Sequence, residues 1–102
     1  MRIRYLKNTD EILAESPLIL PAPRELKGKW REELGRRMGR EPEKLYLEIG
    51  CGMGGFLRKM AEREPEAGFI GVERISTVLA RAVGRPENAE NMRTANAHYA
   101  AD

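Results

Sequence analysis

Residues Leu45-Tyr46-Leu47-Glu48-Ile49-Gly50-Cys51-Gly52-Met53-Gly54-Gly55 pass from a short apolar stretch straight into a glycine-rich turn, with a helix predicted from Phe56. Glycine has no Cβ and accepts positive φ, so such a turn lets backbone N–H groups approach a ligand closely. Gly50, Gly52 and Gly55 satisfy G-x-G-x-x-G, a spacing shared with dinucleotide-binding folds. Glu48 is the discriminating residue. A strand covered on both faces is normally apolar along its length. A carboxylate two residues before the first glycine therefore calls for hydrogen bonds from a bound ligand or from the loop's own N–H groups. Phe69-Ile70-Gly71-Val72-Glu73 reads as a second strand ending in an acid. Glu73 lies 23 residues after Gly50, close to the spacing at which a carboxylate meets a ribose diol in such folds. Two strand-end carboxylates flanking one glycine loop describe a nucleoside site.

The rest of the chain punctuates around these strands. A short helix capped by Thr9 or Asp10 is expected to run to Glu15 and to end before Pro17, because proline disfavours helix in the residue preceding it. Pro17, Pro21 and Pro23 then stiffen an irregular segment carrying Leu18-Ile19-Leu20. Trp30, Leu34 and Met38 form one apolar stripe of a helix over 29–38, which Gly39 ends. Phe56, Leu57, Met60 and Ala61 give the buried face of a helix that stops at Pro65. Ile75, Val78, Leu79, Ala82 and Val83 form the clearest helical pattern, closed by Gly84 and Pro86. Residues 92–95 are the candidate third strand. The order β-α-β-α-β implies an α/β fold with a parallel sheet. At 102 residues the chain is one domain at most and short for a doubly wound sheet. It reads as the front part of something larger, truncated after the third strand. The one internal boundary falls near Pro42: a basic N-terminal extension with a helix over 1–42, and the nucleoside-binding half over 43–102.

Composition narrows the class. With 41% hydrophobic and 33% charged residues the chain is globular, and no apolar run nears the roughly 20 residues of a membrane span. No apolar segment follows Met1-Arg2-Ile3-Arg4, so export is not expected, and a single cysteine fits the reducing cytoplasm. His98 has no companion at metal-ligand spacing and is expected at the surface, with no metal site. Net charge is only +2, yet Arg2, Arg4, Lys7, Arg24, Lys27, Lys29, Arg31, Arg36, Arg37 and Arg40 all precede the glycine motif. That asymmetry suits a polyanion and equally suits a solvated face balanced by Glu25, Glu32, Glu33 and Glu41.

Leu47-Glu48-Ile49-Gly50-Cys51-Gly52-Met53-Gly54 resembles motif I of class I S-adenosylmethionine-dependent methyltransferases. The basic start, Lys27-Gly28-Lys29-Trp30, Phe69-Ile70-Gly71-Val72-Glu73 and Asn91-Met92-Arg93 follow one another as in the bacterial tRNA (guanine-N7-)-methyltransferase family. The resemblance covers almost the whole chain but only about the first half of the family's length. It implies a Rossmann-like doubly wound sheet of the class I methyltransferase type, S-adenosyl-L-methionine as cofactor, and tRNA as partner. It also implies cofactor-binding residues: Glu48 with Gly50, Gly52 and their loop at the methionine end, Glu73 at the ribose hydroxyls, and Asn96 at the adenine. Met53 departs from the basic residue often found in that loop. The family's catalytic residues lie beyond Asp102, so none is assigned, and the isolated chain is expected to be inactive.

The residues alone leave alternatives open. Glu48 fits a ligand contact or a loop-organising carboxylate, and Glu73 a ribose contact or a strand-end acid. Cys51 fits a helix-terminal thiol of lowered pKa or a small residue tolerated between glycines. Trp30 fits a core anchor or a base-stacking platform. At the level of the protein, an NAD-binding oxidoreductase fragment also matches the glycines and Glu73, though not Glu48. A non-catalytic module that binds RNA or an adenosine ligand is a third reading.

Overall fold

The computed structural model describes residues 8–84 and 96–101. In chain order the elements are helix α1 (Thr9–Glu15), a 3-10 turn (Pro23–Leu26), α2 (Trp30–Met38), β1 (Leu45–Ile49), α3 (Gly55–Arg63), β2 (Gly68–Glu73), α4 (Ser76–Val83) and β3 (Ala97–Ala101). The strands form one parallel sheet in the order β1-β2-β3. The α/β expectation and the first two strands hold within a residue. A third described strand occupies Ala97–Ala101, and the candidate strand at 92–95 lies outside the described residues. Pro86, Arg2, Arg4 and Asn91-Met92-Arg93 lie outside them too.

Alternation along each strand sends side chains to opposite faces, and helices cover both. On one face Leu57 and Ala61 of α3, Leu79 and Val83 of α4, and Ile12 and Leu13 of α1 pack with Phe69, Ala97 and Tyr99. On the other, Leu34 of α2 is fully buried against Leu20, Ile70 and Ala100, with Trp30, Met38 and Val72 around them. Residues on either side of Pro42 thus share both cores.

The proline-flanked segment is tied to the sheet. Tyr99 N–H donates to the Leu18 carbonyl and Leu20 N–H to the Tyr99 carbonyl, both at 2.7 Å, which makes a single parallel bridge at Ile19. This explains why three consecutive apolar residues between prolines are buried.

Much of the basic asymmetry is structural. Arg37 donates to the carbonyls of Pro17 and Ile19, Arg31 to that of Pro42 at 2.6 Å, and Arg40 to that of Pro65. Arg36 and Arg37 also pair with Glu33. The Arg36 hydrogen bond is the main cause that holds the Glu33 carboxyl down at about 2.

Among the described residues β1 lies on the sheet edge, with an unusual surface. Leu47 is 61% exposed and Ile49 is 73% exposed, and Phe56 at the start of α3 is also exposed. No helix is long and apolar enough to cross a membrane among the described residues.

Candidate functional site

The glycine loop lies where β1 and β2 end. The amides of Gly50 and Cys51 both donate to the Val72 carbonyl, at 2.7 and 3.0 Å, so the carboxyl end of β2 anchors the loop. Gly54 N–H returns to the Cys51 carbonyl at 3.0 Å, and α3 starts at Gly55. Gly50 and Gly52 both take positive φ, and a Cβ on either would project into open space. The loop therefore presents bare backbone outward, which is the shape needed for close approach of a ligand.

Behind the loop the packing is tight. Gly54 has φ +77°, and a Cβ there would lie 2.5 Å from the hydroxyl oxygen of Tyr99. A Cβ on Gly71 would meet the Cys51 sulfur at 2.8 Å and Leu57 at 3.0 Å. Fully buried Tyr99 on β3 and the bare backbone of Gly71 on β2 thus set how deep the loop can sit. Sequence reasoning missed Tyr99. Gly71 carried a usable signal, since an isolated glycine in a β-rich run marks a close approach.

Register places the two acids. Glu48 pairs with Gly71, and Glu73 pairs with Ala101, so both project from the same sheet face, the one that α3 and α4 cover. Glu73 accepts hydrogen bonds from Gly52 N–H at 2.9 Å and Ile75 N–H at 3.0 Å. The Ile75 bond first, with the Gly52 bond behind it, holds its carboxyl below the ordinary value against the opposing push of burial. Glu48 makes no hydrogen bond to any described residue, and desolvation raises its carboxyl. A partly buried, unpaired carboxylate beside open glycine backbone is suited to a cationic or hydrogen-bond-donating ligand.

Cys51 lies within reach of both acids. Burial, then Glu73, then Glu48 push its thiol up to about 12. The thiol stays protonated at neutral pH, so the small-residue reading holds and a reactive thiolate does not.

Asn96 is not part of this cluster. It precedes β3 at the amino end of the sheet, where Phe69 N–H donates to its carbonyl, while the glycine loop lies at the carboxyl end. Its side chain is fully buried and donates to the carbonyls of Ala61, Glu64 and Ala67 at 2.9–3.1 Å. That amide closes the end of α3 over the start of β2. The surface position expected for His98 is corrected: it is 3% exposed inside β3, and burial lowers it to about 4.

Comparison with known proteins adds to this geometry. Residues 42–101 match the model of a family described as "Putative methyltransferase". The chain is similar to the tRNA (guanine-N(7)-)-methyltransferase of Acetivibrio thermocellus, 44% identical over 88 residues, 86% of this chain and 38% of that protein. It is 38% identical over 87 residues to the enzyme of the same description from Brevibacillus brevis, covering 85% of this chain and 38% of the relative. With the one from Halalkalibacterium halodurans it shares 38% over 91 residues, 88% of this chain and 39% of the relative. The chain spans about two fifths of the length of these curated relatives.

Proposed function

The chain belongs to this methyltransferase family, and on that premise we propose that it is the S-adenosylmethionine-binding part of a tRNA (guanine-N7-)-methyltransferase. The observation that carries the reading is Glu48. It is desolvated, without a described partner, and set beside a glycine loop whose outward face is open. An amino acid ammonium supplies the charge-assisted donors such a carboxylate lacks. Gly50 and Gly52 would hold the methionine end of the cofactor. Glu73 would share its acceptor oxygens between the Gly52 amide and the ribose hydroxyls, each oxygen having more than one lone pair.

When bound, the cofactor supplies a methyl group already activated on a sulfonium, so the protein's task is alignment. This chain's share of that task is to fix the loop. Val72 anchors its start, Tyr99 sets its depth, and Glu73 ties Gly52 to the end of β2. The tRNA substrate and guanine N7 as acceptor belong to the same reading, supported by the names of the relatives, and a cytoplasmic setting is proposed with them.

Calorimetric titration of the chain with S-adenosylhomocysteine and with NAD tests the proposal. Saturable binding of S-adenosylhomocysteine, weakened in Glu48→Ala, is the expected result. Tighter binding of NAD overturns it in favour of a dinucleotide enzyme.

A further inference from the structure

We propose that a second pocket, on the sheet face opposite Glu48 and Glu73, binds a nucleotide, stacking the base on Trp30 and holding the phosphate with Arg24 and Lys27. The cavity is about 290 Å³ and is lined by Pro23, Arg24, Lys27, Trp30, Val72 and Ala100. Val72 and Ala100 are register partners one step before Glu73 and Ala101, so their side chains point to the other face. The pocket therefore opens near the carboxyl end of the sheet, where ligands of open parallel sheets bind, but apart from the glycine loop.

Its polar residues are arranged by the local fold. Pro23 opens the 3-10 turn, Glu25 N–H donates to the Ala22 carbonyl, and Lys29 N–H donates to the Leu26 carbonyl at 2.7 Å. Arg24 lies in the turn and Lys27 follows directly as its C-cap, and both line the cavity. Trp30 follows after three more residues, at the first position of α2. It is half-buried, with part of its ring in the core beside Val72 and part on the pocket. A core anchor alone needs no cationic rim. An aromatic face flanked by two cations over an apolar floor is the combination that takes a base and its phosphate together.

This inference rests on the RNA reading above only for the source of the nucleotide. Trp30 is the sole tryptophan, so its fluorescence reports this pocket directly. The chain is titrated with guanosine 5′-monophosphate, a short single-stranded RNA, guanosine and inorganic phosphate. Saturable quenching by the monophosphate or the RNA is expected, with affinity lowered about tenfold or more in Arg24→Ala/Lys27→Ala, since charge-assisted contacts to phosphate are lost. Quenching by RNA alone assigns the pocket to a strand, and quenching by the monophosphate alone assigns it to a free nucleotide. Both arginine and lysine are exposed, and an unchanged melting curve of the double variant shows that its fold is intact. Absence of quenching by either nucleotide form overturns the proposal. So does quenching that the double variant leaves unchanged, or that S-adenosylhomocysteine competes away. Quenching in a chain that does not bind S-adenosylhomocysteine keeps this pocket and removes the methyltransferase reading instead.

Discussion

The amide of Gly52 donates to the carboxylate of Glu73 at 2.9 Å, so the acid at the end of β2 organises the very loop it faces. Ligand contact and loop organiser are therefore not rivals for this residue. Glu73→Ala removes acceptors from two backbone amides and is expected to cost about 1–2 kcal/mol, toward the lower end because the group is half-exposed. Affinity for S-adenosylhomocysteine should fall by about tenfold or more, each charge-assisted bond to a ribose hydroxyl contributing about 1.5 kcal/mol or more. Urea melts and calorimetry measure the two effects separately. A stability loss with unchanged affinity leaves Glu73 as a loop organiser alone.

Asn96 should behave as a structural residue. Asn96→Asp replaces an amide that donates to three carbonyls with a carboxylate that repels them. A buried acceptor facing acceptors costs on the order of 3 kcal/mol or more. The melting temperature should drop sharply, while the fraction that stays folded keeps its affinity for S-adenosylhomocysteine. Preserved stability with altered affinity would return Asn96 to the ligand.

How far the sequence could be read depended on the range of the forces involved. β1, α2, α3 and α4 were legible because apolar periodicity and the stops at Gly39, Pro65 and Gly84 are local signals. The glycine loop and both acids were legible because their residue types are costly without a purpose. β3 was not legible because Ala97-His98-Tyr99-Ala100-Ala101 has weak strand propensity. It is held by pairing with β2 and by the Leu18–Leu20 segment, neither of which is near in sequence. The same long-range pairing buries His98 and turns Asn96 inward. Tyr99 was invisible for the related reason that its role is to fill a space left by Gly54, 45 residues earlier.

His98 should give the fold a pH dependence in mildly acidic solution. Its neutral form is buried and its pKa is lowered to about 4 from 6.5, chiefly by burial and then by Arg37, with Glu33 opposing. Between those values the unfolded chain takes up a proton that the folded chain refuses, so stability falls as pH falls through that window. The contribution is complete above about 6.5 and amounts to about 3 kcal/mol at most. His98→Leu should flatten the urea midpoint between pH 4 and 6.5. It should leave the further loss below 4.5 that comes from Glu33 and Glu73, whose carboxyls are lowered. An undiminished slope in His98→Leu would assign the dependence elsewhere.

Gly54→Ala should destabilise through two separable effects. Positive φ costs an L-residue about 1 kcal/mol, and overpacking against Tyr99 adds about 1–3 kcal/mol. Tyr99→Phe removes the atom nearest the new methyl group, so the Gly54→Ala penalty should shrink in the Tyr99→Phe background. A double-mutant cycle by chemical denaturation measures the coupling. Strict additivity would mean that the loop shifts away from Tyr99 instead of pressing on it.

The edge of the sheet should govern how the chain behaves in solution. Leu47 and Ile49 sit on β1, which among the described residues has a strand neighbour on one side only, and their side chains are largely exposed. An exposed apolar edge strand offers both unpaired backbone groups and a sticky face to another chain, a combination that natural sheets usually blunt with charge. Register fixes which substitutions are safe. Both residues alternate away from Glu48, so charging them leaves the acid's own face untouched. Leu47→Lys and Ile49→Lys together should therefore raise the concentration at which the chain stays monodisperse, without weakening S-adenosylhomocysteine binding. Light scattering over a concentration series, paired with calorimetry, tests both halves of that statement. If self-association persists unchanged in the double variant, the exposed ring of Phe56 is the next surface to charge, and the β1 edge is not the contact.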